Sequence, residues 1–128
     1  MIGLDTNILI RYLVADDKIQ HEIASRFIEK QEEMFISLIV VCEMVWVLES
    51  CYKLKHDNIV QVVQKILGVR QFLFERSDLV WKALEEFSET KVDFSDCLIG
   101  WVNKQEACDY TVTFEKALKK LPTFRVLS

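Results

Sequence analysis

The sequence has few of the residues that interrupt regular structure: one proline and three glycines stand among 128 residues. That scarcity argues against a turn-rich β-sandwich and for long, uninterrupted elements. An excess of positive charge is missing too. Sixteen Lys and Arg against twenty Asp and Glu give a formal charge of −4, which counts against binding nucleic acid by a broad basic surface. Cysteine is sparse and unpatterned: Cys42, Cys51, Cys97 and Cys108 form no C-x-x-C pair and no zinc-like spacing. Thiols in apolar stretches behave as small hydrophobes, and a reduced, cytoplasmic protein is expected. Met1 leads straight into strand-like sequence with no basic n-region, so no signal peptide is expected. The most apolar run, Ile36 to Leu48, is too short to span a bilayer and contains Glu43. There is no Walker loop and no G-x-G-x-x-G. No Ser-His-Asp or Cys-His arrangement is supported, and His21 and His56 read as solvated surface residues.

What is present is ample material for a core. Hydrophobic residues make up 51% of the chain, with eight Phe and three Trp, enough for one domain over residues 1–128 without staples. Ile2-Gly3-Leu4 is a short apolar run that stops at Asp5-Thr6-Asn7, residues that favour caps and turns. Ile8, Leu9, Tyr12 and Leu13 recur at helical spacing. Asp16-Asp17 can cap a second helix with Ile19, Ile23, Ala24, Phe27 and Ile28 on its apolar face. Met34 to Ser37 reads as a strand and Leu38 to about Lys53 as a strongly apolar, central helix. A helix from Asp57 or Asn58 stops at Gly68. Gln71 to Phe74 is strand-like, Ser77 opens a helix, and another spans roughly Phe94 to Glu106. Tyr110 to Thr113 is a strand, Glu115 to Leu121 a short helix, and Phe124 to Leu127 a last strand. Alternation of this kind predicts an α/β fold with a parallel sheet covered on both faces.

Four acids stand out by position. Asp5 ends the first strand, and Glu115 follows a late one. Strand ends of that kind are where open α/β sheets bind ligands. Glu43 interrupts the most apolar helix, where an unpaired buried carboxylate costs several kcal/mol. Asp96 lies in the first turn of a helix rich in Leu98, Ile99, Trp101 and Val102. Each has a plain alternative: Asp5 as a helix cap, Asp93 with Asp96 as a capping box, Glu115 as a first-turn acid capped by Thr113, and Glu43 at a helix edge reaching water. As a set of oxygen donors they suit a hard cation such as Mg²⁺ or Mn²⁺. Close carboxylates repel by about 4 kcal/mol per pair at an effective dielectric of 20, a repulsion that a cation relieves.

Leu4-Asp5-Thr6-Asn7-Ile8-Leu9, Glu43-Met44-Val45-Trp46-Val47-Leu48, Asp93-Phe94-Ser95-Asp96 and Thr111-Val112-Thr113-Phe114-Glu115, with Arg11-Tyr12-Leu13 and the closing Leu121-Pro122-x-Phe124, resemble the PIN-domain family. The likeness is nearest to the VapC-like toxins of bacterial toxin–antitoxin modules. The resemblance implies a three-layer α/β/α sandwich with a central, mainly parallel sheet. It also implies an Mg²⁺- or Mn²⁺-dependent endoribonuclease, hydrolysing RNA with a metal-activated water. Asp5, Glu43 and Asp96 fall on its metal-site positions and Asp93 on an accompanying acid. Thr113 matches a hydroxyl residue beside the site, and Asn7 a polar residue that steadies the first Asp. Glu115 stands where the family usually has Asp. The extra methylene moves its carboxylate by about 1.5 Å, so that a role through water is expected. The resemblance further implies a homodimer and a small VapB-like antitoxin whose C-terminal segment covers the active site. Lys104, Lys116, Lys119, Lys120 and Arg125 are candidates for a basic rim facing RNA.

Two rivals differ in chemistry. A receiver or haloacid-dehalogenase-like phosphatase also has an Asp after its first strand, but the phosphatase motif needs a second Asp where Asn7 stands. A degenerate PIN domain kept as an antitoxin or DNA-complex binding module has the Glu115 change in its favour.

Overall fold

Six α-helices and five short strands make up the computed structural model, which describes residues 1–128. They fall in two compact units, Met1–Ser77 and Asp78–Ser128. The first runs β1 (Ile2–Gly3), α1 (Thr6–Leu13), α2 (Lys18–Glu29), β2 (Met34–Ile36), α3 (Leu38–Ser50), α4 (His56–Leu67) and β3 (Phe72–Phe74). Its strands are parallel in the order β1-β2-β3, with Ile2 opposite Met34 and Met34 opposite Phe72. Parallel neighbours need a crossover between them, and the pairs α1–α2 and α3–α4 supply it. In β2, at the middle of the sheet, Met34 and Ile36 are fully buried. Leu9, Ile28, Met44, Leu48, Ile59 and Ile66 from the four helices are buried as completely.

The second unit is made by α5 (Ser77–Thr90), which begins at the boundary, α6 (Phe94–Gln105), β4 (Thr111–Thr113), a 3-10 helix (Lys116–Lys120) and β5 (Phe124–Val126). Strands β4 and β5 pair in parallel, Thr111 opposite Phe124 and Thr113 opposite Val126. The rings of Phe87 and Phe94 meet edge to face at 5.9 Å in its core. Gly100 lets α6 approach the chain before β5, because a Cβ there would collide with the Thr123 side chain and the Phe124 ring.

Local chemistry sets the ends. Ser37 Oγ accepts the Val40 amide at 3.2 Å and Asp17 Oδ1 the Gln20 amide at 3.0 Å, so α3 and α2 start on side-chain caps. α4 starts at His56, earlier than Asp57 or Asn58, with Asp57 in its first turn, where an acid complements the helix dipole. Gly68 does end α4, but in a right-handed conformation with φ −92°. The helix expected from Glu115 is the 3-10 turn, and Glu115 stands just before it.

Two apolar faces are less buried than the sequence pattern implies. On α2 only Ala24 and Ile28 are buried, whereas Ile19, Ile23 and Phe27 are exposed. On α3 the buried face is Val41, Met44, Val45 and Leu48, and Ile39, Glu43 and Trp46 form an exposed stripe. No helix is long and apolar enough to cross a membrane, and all four cysteines are free thiols.

Candidate active site

β1 pairing ends where the Leu4 amide donates to the Phe35 carbonyl at 2.9 Å. Asp5 follows at the N-cap of α1, its backbone extended (φ −84°, ψ 155°) and its carbonyl accepting the Leu9 amide at 3.2 Å. Its carboxylate makes no capping hydrogen bond. The exposed Asp5 side chain is therefore not consumed by the helix it precedes. The next residue, Thr6, is buried, and its hydroxyl donates to Glu43 Oε1 at 2.9 Å. That bond ties Glu43 of α3 to the start of α1, one residue from Asp5. Glu43 is exposed and accepts the Thr6 hydroxyl, so it is not the buried, unpaired carboxylate that its apolar neighbours in sequence suggest. The tether to Thr6 is what positions it. Asn7 is exposed on the same turn and lines a cleft of about 420 Å³ with Arg11, Gln20 and Ile23.

A second set of acids forms around the start of α6. Asp93 is the N-cap residue and, like Asp5, makes no side-chain capping bond, so the capping box with Asp96 is not formed. Asp96 is half-buried, and its carboxyl is pushed above the ordinary range by burial first, then by the negative charges of Asp93 and Glu115. Glu115 is exposed, and its amide donates to Thr113 Oγ1 at 3.0 Å. The Thr113 hydroxyl is thus fixed as an acceptor and keeps its proton to donate elsewhere. Thr113 does not cap a helix; it closes the turn that carries Glu115 off β4. The candidates therefore form two local groups: Asp5, Glu43 and the tethering Thr6, and Asp93, Asp96 and Glu115 with Thr113.

The PIN-domain family pattern matches residues 2–123, nearly the whole chain and both acidic groups. The chain belongs to the PIN-domain family. It is also 31% identical over 121 residues to a VapC ribonuclease of Aquifex aeolicus (strain VF5), covering 92% of this chain and 90% of that relative. The helix-rich architecture with parallel strands is the PIN-like α/β/α fold.

In this PIN domain the candidate donors are of the class that suits a hard divalent cation, but no three of them stand together as a metal-holding group in this structure. Every candidate ligand is a carboxylate oxygen, two of the acids (Asp5 and Asp93) decline the caps open to them, and Asp96 is crowded by like charge. Sequence reading passed over Thr6, whose hydroxyl in the first turn of α1 was open to a partner on a neighbouring helix. It also passed over a network beside the cleft. Arg11 Nη1 donates to Asp16 Oδ1 at 3.0 Å, Arg11 Nε to Gln20 Oε1 at 2.7 Å, and the Tyr52 hydroxyl to Asp16 Oδ2 at 3.0 Å. Partial desolvation raises the Asp16 carboxyl, but the Tyr52 hydroxyl, the Arg11 charge and nearby amides outweigh it and hold it below the usual range. Asp16 is thus a bridge from α1 to the end of α3, and Asp17 alone caps α2. His21 is half-buried, with Nδ1 at 2.7 Å from the Arg11 carbonyl, and is not a solvated surface residue.

Proposed function

We propose that this PIN domain is an Mg²⁺- or Mn²⁺-dependent endoribonuclease, the toxin of a type II toxin–antitoxin module. The observation that carries the reading is the 31% identity to a VapC ribonuclease along nearly the full length of both chains. The two acidic groups within one family match support it, as does the continuity of that match across residues 2–123, which favours one nuclease domain over residues 1–128. Asp5, Glu43 and Asp96 would hold the cation, with Glu115 contributing through a water. When bound, the cation supplies a Lewis acid that lowers the pKa of water and stabilises charge on the attacked phosphodiester. The rest is done by the chain. The Thr6 hydroxyl fixes one oxygen of Glu43, Asn7 steadies Asp5, the Thr113 proton orients a water or carboxylate, and Asp93 adds negative charge. No histidine moves a proton.

The toxin acts in the reducing cytoplasm, as a homodimer, and is held inactive by a VapB-like antitoxin whose C-terminal segment covers the acids. Exposed Ile19, Ile23 and Phe27 on α2, beside the cleft lined by Asn7 and Arg11, support a protein-binding surface there. Cleavage of a labelled RNA with Mg²⁺, with EDTA, and by Asp5→Asn tests the enzymatic claim. Cleavage by the parent with Mg²⁺, falling at least 100-fold in the other two arms, is expected; equal cleavage in all three refutes it. Antitoxin binding without any cleavage selects the degenerate binding module, for which the Glu115 substitution speaks.

A further inference from the structure

A net charge of −4 leaves an RNA-cleaving protein needing local cations to hold its substrate, and one groove of the second unit concentrates them. Lys116, Lys119 and Arg125 line a cavity of about 500 Å³ with Phe124, Val126 and Ser128. The placement follows from local geometry. Lys116 and Lys119 are three apart on a 3-10 helix, whose three-residue turn eclipses positions i and i+3, so both ammonium groups leave one face. Arg125, at the centre of β5, has its guanidinium carbon 3.8 Å from the centroid of the Tyr110 ring, which holds a long side chain in place. None of the three cations has a carboxylate partner within 4.0 Å. In a protein with more acids than bases, three such unpaired cations around one cavity are a marked local reversal of sign.

We propose that this groove binds the phosphodiester backbone of single-stranded RNA, next to the bond to be cut. The proposal rests on the ribonuclease reading above and assigns it a substrate-holding surface. Two features favour RNA over an acidic peptide. The Tyr110 ring under Arg125 holds the guanidinium as a flat platform, and Phe114, two residues before Lys116, is 81% exposed, so the chain offers an open aromatic face on which a base stacks. The groove also begins at Lys116, the residue directly after Glu115, so backbone bound there runs toward an acid assigned to the chemistry.

The test is fluorescence anisotropy of a labelled twenty-nucleotide oligouridine, titrated over salt, in the non-cleaving Asp5→Asn protein. Adding Lys116→Gln, Lys119→Gln and Arg125→Gln together is expected to weaken binding at least tenfold at 100 mM salt. It should also flatten the log–log salt slope by about 2, since each phosphate contact on a single strand contributes about 0.7. Should the triple variant not fold, Lys116→Gln and Lys119→Gln singly are each expected to flatten the slope by about 0.7. Affinity and slope unchanged by these substitutions overturn the groove and leave the nuclease reading standing. Binding that depends on the three cations, in a protein whose parent never cleaves RNA, upholds the groove and sinks the nuclease. Tight, cation-dependent binding of polyglutamate with none of RNA overturns the groove as an RNA site.

Discussion

Glu86 is 8% exposed, and its Oε1 lies buried without a hydrogen-bond partner, as does the indole N–H of Trp101. Burial raises the Glu86 carboxyl above its usual range, the Cys97 thiol and Trp101 indole offset part of that, and Glu89 adds to it. The same burial, with Glu86 next, pushes the Cys97 thiol up to about 12. For an acid raised in the folded state, the unfolded chain loses its proton first as pH rises. Stability therefore falls with increasing pH between the ordinary carboxyl range and the raised one. Glu86→Gln, neutral at every pH, is expected to raise Tm at pH 7.5, with a gain on the order of 1 kcal/mol, and to match the parent below pH 4. Thermal melts across pH check this; a gain that persists undiminished at pH 3.5 would show that charge is not the cause. The residue was legible in principle, because Leu79, Ala83 and Glu86 share a helical stripe at i, i+4 and i+7 with two buried apolar members. Glu43 shows the opposite limit. Its apolar neighbours in sequence lie on two faces of α3, Ile39 and Trp46 outside and Met44 and Val45 inside, and only the position of α1 reveals that a threonine holds it.

At the scale of elements, the scarcity of glycine that made long helices legible also decides how they stop. With three glycines in the chain and none at positive φ, left-handed residues at helix exits are Lys53, Lys91 and Ala107, with φ of 55°, 59° and 66°. A non-glycine residue in that conformation costs about 1–2 kcal/mol, and glycine costs roughly 0.5–1 kcal/mol of chain entropy in return. Ala107 follows α6, and its amide and that of Cys108 satisfy the carbonyls of Lys104 and Asn103 at 3.0 and 3.1 Å. Ala107→Gly keeps those bonds and removes the Cβ strain, so a gain of about 0.5–1 kcal/mol in urea melts is expected. A loss of stability there would mean that the Ala107 methyl is packed more usefully than its exposure indicates. The same scarcity explains which boundaries sequence reading reached. Asp17 and Ser77 announced helix starts and Ser37, read as the end of a strand, proves to be the cap of α3, whereas the α4 start on Lys55 carries no capping side chain to announce it. Apolar periodicity on α2 gave the helix correctly but not its buried face, because a stripe of Ile19, Ile23 and Phe27 reads the same whether a core or a partner covers it.

For the whole molecule, the acids that suit a cation must weaken the protein without one. Asp96 carries the clearest sign of this, half-buried with Asp93 and Glu115 acting on it and no lysine or arginine within 4.0 Å of its carboxylate. A cation that binds only the folded chain adds RT ln(1 + [L]/Kd), about 2.7 kcal/mol at one hundred times its Kd. Unfolding a domain of this size moves by roughly 2–4 °C per kcal/mol. MgCl₂ is therefore expected to raise Tm by several degrees beyond NaCl of equal ionic strength, the comparison that removes plain screening of the −4 net charge. Asp96→Asn separates binding from repulsion. Because it removes a charge that burial and two neighbours oppose, the variant is expected to melt higher than the parent without Mg²⁺, and to respond less to the cation. The higher melting follows from the relieved repulsion alone, whereas the weaker response follows only if Asp96 is a ligand. A variant that melts lower in the absence of metal, yet gains as much from Mg²⁺ as the parent, would place the cation elsewhere and take Asp96 out of the proposed chemistry.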